Sequence, residues 1–262
     1  MTGTKTLTTV SQPYLTSLLS LLLCSLPIQA LGQQINPTVP ESSRGSKLNV
    51  ELASPTLQAQ LPNLPKRPRS GRRKPASARG PCSPSEKSIT ALIPTTNLGL
   101  TTAAYPTFFF YIPQTTATAM EFVLIDEDNQ RQIFTTTLTI TGNPGIVSLS
   151  LPTDENLPPL ELEKEYHWYA SLICDYQQRS GDIYVDGWIQ RVQPDSILMS
   201  KLQNSSLIEQ VIVYQESGLW YDTLQALAEA RRLHPDNSSL VAKWTTFLRS
   251  VGLDQIAQEP LV

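Results

Sequence analysis

Cysteine and histidine, the side chains that most often serve as nucleophiles, bases or zinc ligands, are scarce in this chain. Its 262 residues include three cysteines and two histidines. Cys82, Cys174, His167 and His234 show no zinc-ligand spacing. Neither histidine belongs to a G-x-S-x-G or H-E-x-x-H motif. The sequence therefore predicts structural roles for both histidines, and it predicts no catalytic residue, metal or cofactor.

Acidic side chains are more numerous, and three of them lie in one turn between two predicted strands. Asp126, Glu127 and Asp128 follow one another there, and calcium is the ligand that such a cluster could hold. An EF-hand loop is excluded, because Arg131 stands where that loop needs glycine and Thr137 where it needs glutamate. We therefore predict that these acids are turn residues that face water.

A second acidic group, Asp175, Asp182 and Asp186, surrounds the turn of a predicted hairpin. Paired carboxylates could serve a glycoside hydrolase, so a carbohydrate hydrolase that uses these acids is the alternative function. Asp182 and Asp186 share one strand face but would lie about 13 Å apart along it. This spacing favours a non-enzymatic protein.

Seven basic residues form an arm that contains no acidic residue. Residues 81–262, in contrast, contain ten Lys and Arg against 21 Asp and Glu. Such an arm could bind an anionic polymer or lipid headgroups, or it could fold back onto its own acidic domain. It has no aromatic residue on which a base could stack, which argues against nucleic acid. The candidate contacts are Lys66, Arg67, Arg69, Arg72, Arg73, Lys74 and Arg79.

The first 32 residues have the composition of a signal peptide, with an apolar run at 15–26 and small residues near position 32. The run is short for a membrane-spanning helix, which needs about 20 apolar residues; retention as an anchor is the alternative. Export would place Cys82 and Cys174 in an oxidising compartment. There we expect them to form a disulfide rather than to remain free thiols.

Residues 33–80 are predicted to be a disordered, proline-rich and basic linker. Nine prolines occur between residues 33 and 84, and no apolar period runs through this stretch. A segment of this composition buries too little apolar surface to offset the entropy lost on ordering. The globular part should therefore begin at about residue 81.

Residues 81–200 alternate short apolar segments with turn clusters, and they predict a β-sandwich domain. About seven strands at this spacing favour an antiparallel immunoglobulin-like or fibronectin-like sandwich. Leu160 and Tyr166 have the spacing of a tyrosine corner, in which the phenol hydroxyl bonds to upstream backbone. The segments before the final hairpin are 88–94, 105–113, 119–126, 131–140 and 145–152.

The final hairpin, residues 166–192, is the predicted wall of the core. Alternate residues of a strand point to opposite faces, so its first strand has one mainly apolar face, and His167 falls on the other. The disulfide from Cys82 would tie the start of the domain to this hairpin. The residues of the apolar face are Tyr166, Trp168, Ala170, Leu172 and Cys174.

Residues 201–253 change to helical periodicity and predict three helices. Ser206 and Glu209 form a capping box before the first of them. One tetratricopeptide-like unit cannot bury its faces alone, so it must pack on the sandwich, on a partner, or on the third helix. The positions that match such a repeat are Gly218, Trp220, Leu227, Ala230 and Pro235.

Ordered segments from about Gly80 to the C-terminus carry a family resemblance. They include GPC at 80–82, YPTFFFYIP at 105–113, PGIVSLSLP at 144–152 and YHWYASLICD at 166–175. In these segments the chain resembles the exported cyanobacterial family catalogued as domain of unknown function 928. The resemblance implies location and architecture, and it carries over no reaction, cofactor or site residue.

The sequence as a whole predicts an exported, non-enzymatic binding or scaffolding protein of the periplasm or cell envelope. Its expected partner is another envelope protein, bound through the helical tail, and an anionic envelope polymer is a further candidate at the basic arm. The alternatives are an envelope carbohydrate hydrolase and a structural protein anchored by the arm. No transmembrane span is expected after signal cleavage.

Overall fold

Two β-sheets and a set of C-terminal helices make up the part of the chain described by the structure, a computed structural model. The described residues are 63–75, 82, 86–153 and 157–262, so the predicted signal peptide at 1–32 lies outside them. The strands are β1 (Thr90–Ala91), β2 (Leu98–Thr101), β3 (Thr107–Ile112), β4 (Ala119–Asp126), β5 (Arg131–Thr139), β6 (Gly145–Ser150), β7 (Glu165–Ile173) and β8 (Ile183–Arg191). The helices are α1 (Ser196–Gln203), α2 (Leu207–Glu216), α3 (Trp220–Leu233) and α4 (Ser238–Arg249). This confirms the prediction of a mainly β fold with a C-terminal α part.

The strands form a five-stranded sheet A and a three-stranded sheet B. Their orders are β2-β8-β7-β4-β5 in sheet A and β1-β3-β6 in sheet B. All neighbours are antiparallel except β2 and β8, which run parallel. The sequence predicts antiparallel pairing only and assigns residues 95–99 to a turn. Strand β2 was missed because four residues that include a glycine give little local strand signal.

Strands β7 and β8 form the central hairpin, and their alternation is as predicted. Trp168, Ala170 and Leu172 are fully buried on the core side. Trp168 lies opposite Gly187 in the strand register, and a Cβ on that glycine would approach the indole to 2.5 Å. Glycine at this position therefore makes room for the tryptophan.

An aromatic cluster joins the two sheets and the helices in one core. The ring centroids of Phe108 in β3 and Phe122 in β4 are 4.8 Å apart, which brings sheet B onto sheet A. Tyr221 of α3 lies 5.3 Å from Phe108, measured in the same way. Aromatic side chains dominate core energetics because each buries a large apolar area. The parts predicted as separate domains, 81–200 and 201–253, thus share this cluster.

Helix α3 is also fixed to the sheets by hydrogen bonds from its first turn. Trp168 Nε1 donates to the Tyr221 hydroxyl at 2.9 Å. Trp220 Nε1 donates to the backbone oxygen of Leu92, also at 2.9 Å. Burial raises the pKa of Tyr221, and the indole donor opposes that shift. The sequence left open whether the helical part packs on the sheets, on a partner or on its own third helix. In the structure it packs on the sheets.

Asp222 ties the same helix to the chain just after β2. Its carboxylate accepts hydrogen bonds from Thr102, one from the backbone N–H at 3.2 Å and one from the hydroxyl at 2.6 Å. Burial raises the pKa of Asp222, and the hydrogen bonds from Thr102 work against that shift. The carboxylate lies in the first turn of α3, where the helix dipole favours negative charge.

The helix boundaries follow local capping signals. Ser206 and Glu209 form the predicted capping box of α2. Helix α1 is not predicted by the sequence; the Asp195 side chain caps it by accepting a hydrogen bond from Leu198 N–H at 2.7 Å. Within the described residues, no helix combines the length and hydropathy of a membrane span.

Two links of the hairpin to other segments, one long-range and one local, are those expected from the sequence. Cys82 and Cys174 form a disulfide, with their Cα atoms 5.2 Å apart. The Tyr166 hydroxyl accepts a hydrogen bond from the backbone N–H of Glu161 at 3.0 Å, as the tyrosine-corner spacing predicts. The hairpin is therefore connected both to the start of the domain and to the loop that precedes it.

Candidate functional site

Residues 63–75, which we call the strap, lie against the edges of both sheets. Arg72 N–H donates to Asp186 O of β8 at 3.2 Å, and Asp186 N–H donates to Arg72 O at 3.0 Å. Arg73 O accepts a hydrogen bond from Ala91 N–H of β1 at 2.9 Å. The sequence assigns this segment to the linker; the structure instead places it as a bridge between sheet A and sheet B.

The strap occupies an edge that β2 leaves open. Strand β2 pairs with β8 only from Trp188 to Arg191, so the earlier half of β8 has backbone groups to satisfy. Such an edge accepts another extended chain. Trp188 Nε1 and Asn97 Nδ2 both donate to Ser70 O, at 2.9 and 3.1 Å. Two side chains of the domain thereby fix the strap backbone at one carbonyl, that of Ser70.

Two arginines of the strap lie over aromatic rings on the outer face of sheet A. The Arg69 guanidinium is 5.1 Å from the Trp188 ring centroid and forms an ion pair with Glu165. The Arg72 guanidinium is 5.0 Å from the Tyr184 ring centroid and donates to the Tyr184 hydroxyl at 2.6 Å. A guanidinium over an aromatic face is attracted by the ring quadrupole. The outer face thus carries two neighbouring guanidinium positions.

Two further basic residues contact the C-terminal part of the chain. Arg73 Nη1 donates to Val251 O at 2.9 Å, and burial lowers the pKa of Arg73 to about 10. Lys74 Nζ lies 3.3 Å from Gln255 Oε1. The strap therefore links the sheets to the segment that follows α4.

Of the three other candidate residues of the basic arm, two lack such contacts and the third is not described by the structure. Lys66 and Arg67 are exposed and make no hydrogen bond or ion pair within the part of the chain that the structure describes. Arg79 lies outside the described residues. This placement favours the alternative that the arm folds back onto its own domain. The basic residues used within the chain are Arg69, Arg72, Arg73 and Lys74.

His167 lies beneath this surface and is only 8% exposed, although it is on the outer face. Its Nδ1 is 2.9 Å from Glu127 Oε1, and its Nε2 is 2.9 Å from Asp186 Oδ2. The imidazole stacks on Trp188, with ring centroids 4.3 Å apart. The Tyr169 hydroxyl is also 3.0 Å from Nδ1. The imidazole therefore links the turn after β4 to β8, and it supports the Trp188 ring over which Arg69 lies.

Asp126 does not face water, and the prediction made for it is wrong. Its side chain is 1% exposed and accepts hydrogen bonds from Lys164 Nζ at 2.7 Å and Asn129 Nδ2 at 2.6 Å. Burial alone would raise the pKa of Asp126, but the donors from Asn129 and Lys164 prevail and lower it to about 2. Asp128 is exposed. Asn129 belongs to the same turn, but Lys164 is 38 residues away along the chain, and the local turn pattern cannot reveal it.

The acids around the hairpin turn have separate partners. Asp175 accepts a hydrogen bond from Gln177 N–H at 2.8 Å. Asp182 accepts one from Cys174 N–H at 3.1 Å and pairs with Arg179. Asp186, on β8, lies within hydrogen-bond distance of His167. The structure therefore uses these carboxylates to hold the turn and the outer face, and it does not bring them together as a pair.

Metal ligation gains no support from this geometry. Among the described residues, no group of three His, Cys, Asp or Glu side chains is arranged to hold a metal ion. Sequence reasoning missed the outer-face cluster under the strap, which consists of His167, Tyr184, Asp186 and Trp188. Its only sequence signal is a basic arm opposite an acidic domain that carries outward-facing Tyr184 and Trp188.

The molecule is thus a β-rich protein whose C-terminal helices share the core and whose N-terminal strap joins its two sheets. The family model described as Domain of Unknown Function (DUF928) matches residues 71–261, and the chain belongs to this family. The match begins inside the strap, at Gly71, rather than at the predicted domain start near residue 81. No curated protein and no solved structure matches the chain.

Acid should destabilise the fold through Asp126. The folded pKa of about 2 lies below the ordinary value of 3.8, so the unfolded chain takes up the proton first. The stability contributed by ionised Asp126 is complete above pH 3.8 and is lost as pH falls through about 2. We expect Asp126→Asn to lower stability at neutral pH and to flatten its dependence on pH between 4 and 2, measured by urea unfolding.

The matched control for this measurement is Asp128→Asn, which changes an exposed acid two residues away. It should leave both the stability at neutral pH and its acid dependence nearly unchanged, because the side chain has no buried partner to lose. Equal pH dependence in wild type and in Asp126→Asn would contradict the assignment of the acid sensitivity to Asp126.

Proposed function

We propose that this chain is an exported, non-enzymatic binding or scaffolding module of the periplasm or cell envelope. In this proposal it contacts another envelope protein through the outward faces of α1 and α2. One observation carries the proposal: large apolar side chains remain exposed on these two short helices. They are Ile197, Met199, Ile208 and Ile212.

The exposed residues have the arrangement of an interaction surface. Ile208 and Ile212 are four residues apart, so they lie on one face of α2. On α1 only Leu198 is buried, whereas Ile197 is 66% exposed. Exposed apolar surface is commonly used for association. A protein partner that covers this face of α2 would bury Ile208 and Ile212, and contact with Ile197 or Met199 on α1 would extend the interface.

Export is supported by two independent features. The composition of the first 32 residues is that of a signal peptide. The disulfide between Cys82 and Cys174 fits an oxidising compartment, since such bonds are rare in reducing ones. Both features agree with a periplasmic or extracellular location.

We also propose finer assignments for the two parts of the fold. The sheets form an immunoglobulin-like or fibronectin-like β-sandwich, supported by the hydrogen bond that the Glu161 backbone N–H donates to the Tyr166 hydroxyl. Helices α2 to α4 form a tetratricopeptide-like unit. Its support is Gly218 in a left-handed conformation with φ 72° and the burial of Trp220 and Ala230 on α3.

The test places a photo-crosslinking amino acid at Ile212 in the full chain, expressed in its own envelope. We expect one discrete crosslinked species of higher mass. The additional substitution Ile208→Asp should abolish it, because a charge on the apolar face must be desolvated in the complex. The readout is the yield of the crosslinked species in an immunoblot against the chain.

Val241→Asp provides a matched control. Val241 on α4 is 39% exposed and Ile208 is 38% exposed, so both substitutions add one acid at an equally exposed apolar position. The control should leave the crosslink unchanged. Absence of any discrete crosslink, or equal loss with both substitutions, would contradict binding through α1 and α2.

A further inference from the structure

We propose that the outer face of sheet A and the open edge of β8 form a docking site for an extended Arg-x-Gly-Arg segment of a partner protein. The strap occupies this site within the chain. The site is distinct from the surface of α1 and α2, so this inference goes beyond the proposed function. The contacts that the strap makes show what the site recognises.

Side chains on the outer face of sheet A recognise the two arginines of the segment. The domain supplies two aromatic faces, Trp188 and Tyr184, and each receives one guanidinium at about 5 Å. Glu165 pairs with the first arginine, and the Tyr184 hydroxyl accepts from the second. An arginine guanidinium can stack on a ring and donate directed hydrogen bonds at the same time, whereas a lysine ammonium cannot stack in this way. The site therefore selects two arginines at the spacing of residues 69 and 72.

The open edge of β8 recognises the backbone of the segment. The hydrogen bonds between Arg72 and Asp186 are those of a strand added to an open edge. Between the two arginines, Gly71 has φ 154°, and a Cβ there would lie 1.6 Å from Asn97 Nδ2. Because the Asn97 side chain also holds Ser70 O, there is no room for a side chain at this position. The segment must therefore carry glycine immediately before its second arginine.

The segment and its site are held in different ways. No residue of the strap is fully buried, and Arg69 and Arg72 are held by cation–π and polar contacts of limited strength. Tyr184, Asp186 and Trp188, in contrast, lie on β8, which pairs with β7 from Ile183 to Gln190. The sheet therefore holds the site, and the segment that fills it can be exchanged without separating β8 from β7.

Charge favours the same class of partner. The segment from Lys66 to Lys74 contains no acidic residue, while the domain that it covers has an excess of acids. Opposite charge speeds association and selects against acidic partners. A tethered segment competes at an effective concentration in the millimolar range, so a partner segment binds measurably only when the strap is weakened.

The experiment uses the full chain with Arg69→Ala and Arg72→Ala in the strap, which leaves every residue of the site unchanged. The probe is a fluorescent synthetic peptide with the sequence of residues 63–75. Fluorescence anisotropy should show that it binds this variant about tenfold more tightly than it binds the wild-type chain. The protein control is Lys66→Ala with Arg67→Ala, which removes the same charge from exposed positions and should behave as wild type.

Two control peptides of equal charge separate specific recognition from simple attraction. The peptide that lacks Arg69 and Arg72 should bind the opened chain at least about tenfold more weakly. The peptide that lacks Lys66 and Arg67 should bind it like the probe. Equal binding of both control peptides would overturn the proposal, because charge alone would explain it. Failure of the opened chain to fold, or a folded chain that binds no peptide, would also overturn it.

Discussion

A chain that ends at residue 203 should not fold its β-sheets. Such a chain keeps every strand and α1 but lacks α2, α3 and α4. It loses Trp220, Tyr221 and Leu224, which are fully buried against the sheets. Removal of one large buried aromatic side chain costs about 3–5 kcal/mol, and a whole domain is stable by only about 5–15 kcal/mol. Circular dichroism and near-ultraviolet signals of the truncated chain should therefore be those of an unfolded protein.

A point substitution tests the same prediction more finely. Tyr221→Ala should lower the free energy of unfolding by about 3–5 kcal/mol, because it leaves a cavity between Phe108 and Trp168. It also leaves the Trp168 indole N–H without its acceptor. Tyr176→Ala is the matched control, since Tyr176 is 64% exposed, and it should change stability by less than about 0.5 kcal/mol.

The measurement is chemical unfolding followed by two probes, one for helix and one for tertiary packing around Trp168. We expect the two transitions to coincide, because the sheets and α3 share one core. A truncated chain that retains cooperative β-sheet unfolding would show that the helices form an independent domain. The shared core also explains why the binding test above uses surface substitutions: deletion of the helices would remove the fold together with the partner surface.

The sequence predicted those features that depend on neighbours along the chain. The alternation of β7 identifies Trp168 and Leu172 as core residues, because the period of two is a property of the strand alone. The capping box of α2 was predictable because it is a local pattern of four residues. The disulfide is a long-range contact with a sequence separation of 92, and it was predictable only because two cysteines are left to pair.

What the sequence did not predict depends on contacts between distant segments. Strand β2 is identified by its pairing with β8, about 90 positions away, and not by its own four residues. His167 is buried on an outer face because Trp188 stacks on it and because Glu127 and Asp186 lie against its two ring nitrogens. Proline-rich, basic composition correctly indicates a segment with little apolar surface. It does not reveal that arginine and backbone groups of the strap find partners on the domain.

The second large effect is expected from loss of the disulfide. Cys82→Ala with Cys174→Ala should lower the free energy of unfolding by about 4–5 kcal/mol, because the bond closes a loop with a sequence separation of 92 residues. In the chain-entropy account the bond restricts the unfolded state. Stability on this scale is a large share of the total for one domain, so the variant should be partly unfolded at 37 °C.

The native contacts near the bond help to separate the effect of the cross-link from local packing. Cys82 O accepts a hydrogen bond from Thr116 N–H at 3.3 Å, and Cys174 N–H donates to Asp182. Both are backbone groups of the cysteines and survive alanine substitution. Cys82→Ala alone, Cys174→Ala alone and chemically reduced wild type should therefore all approach the stability of the double variant.

Denaturant dependence distinguishes an effect on the unfolded state from a loss of native packing. Without the cross-link the unfolded chain exposes more surface, so the slope of unfolding free energy against denaturant should rise. A packing defect would instead lower stability at an unchanged slope. If reduced wild type and the double variant both stay within about 1 kcal/mol of the oxidised chain, loop closure is not what this bond contributes.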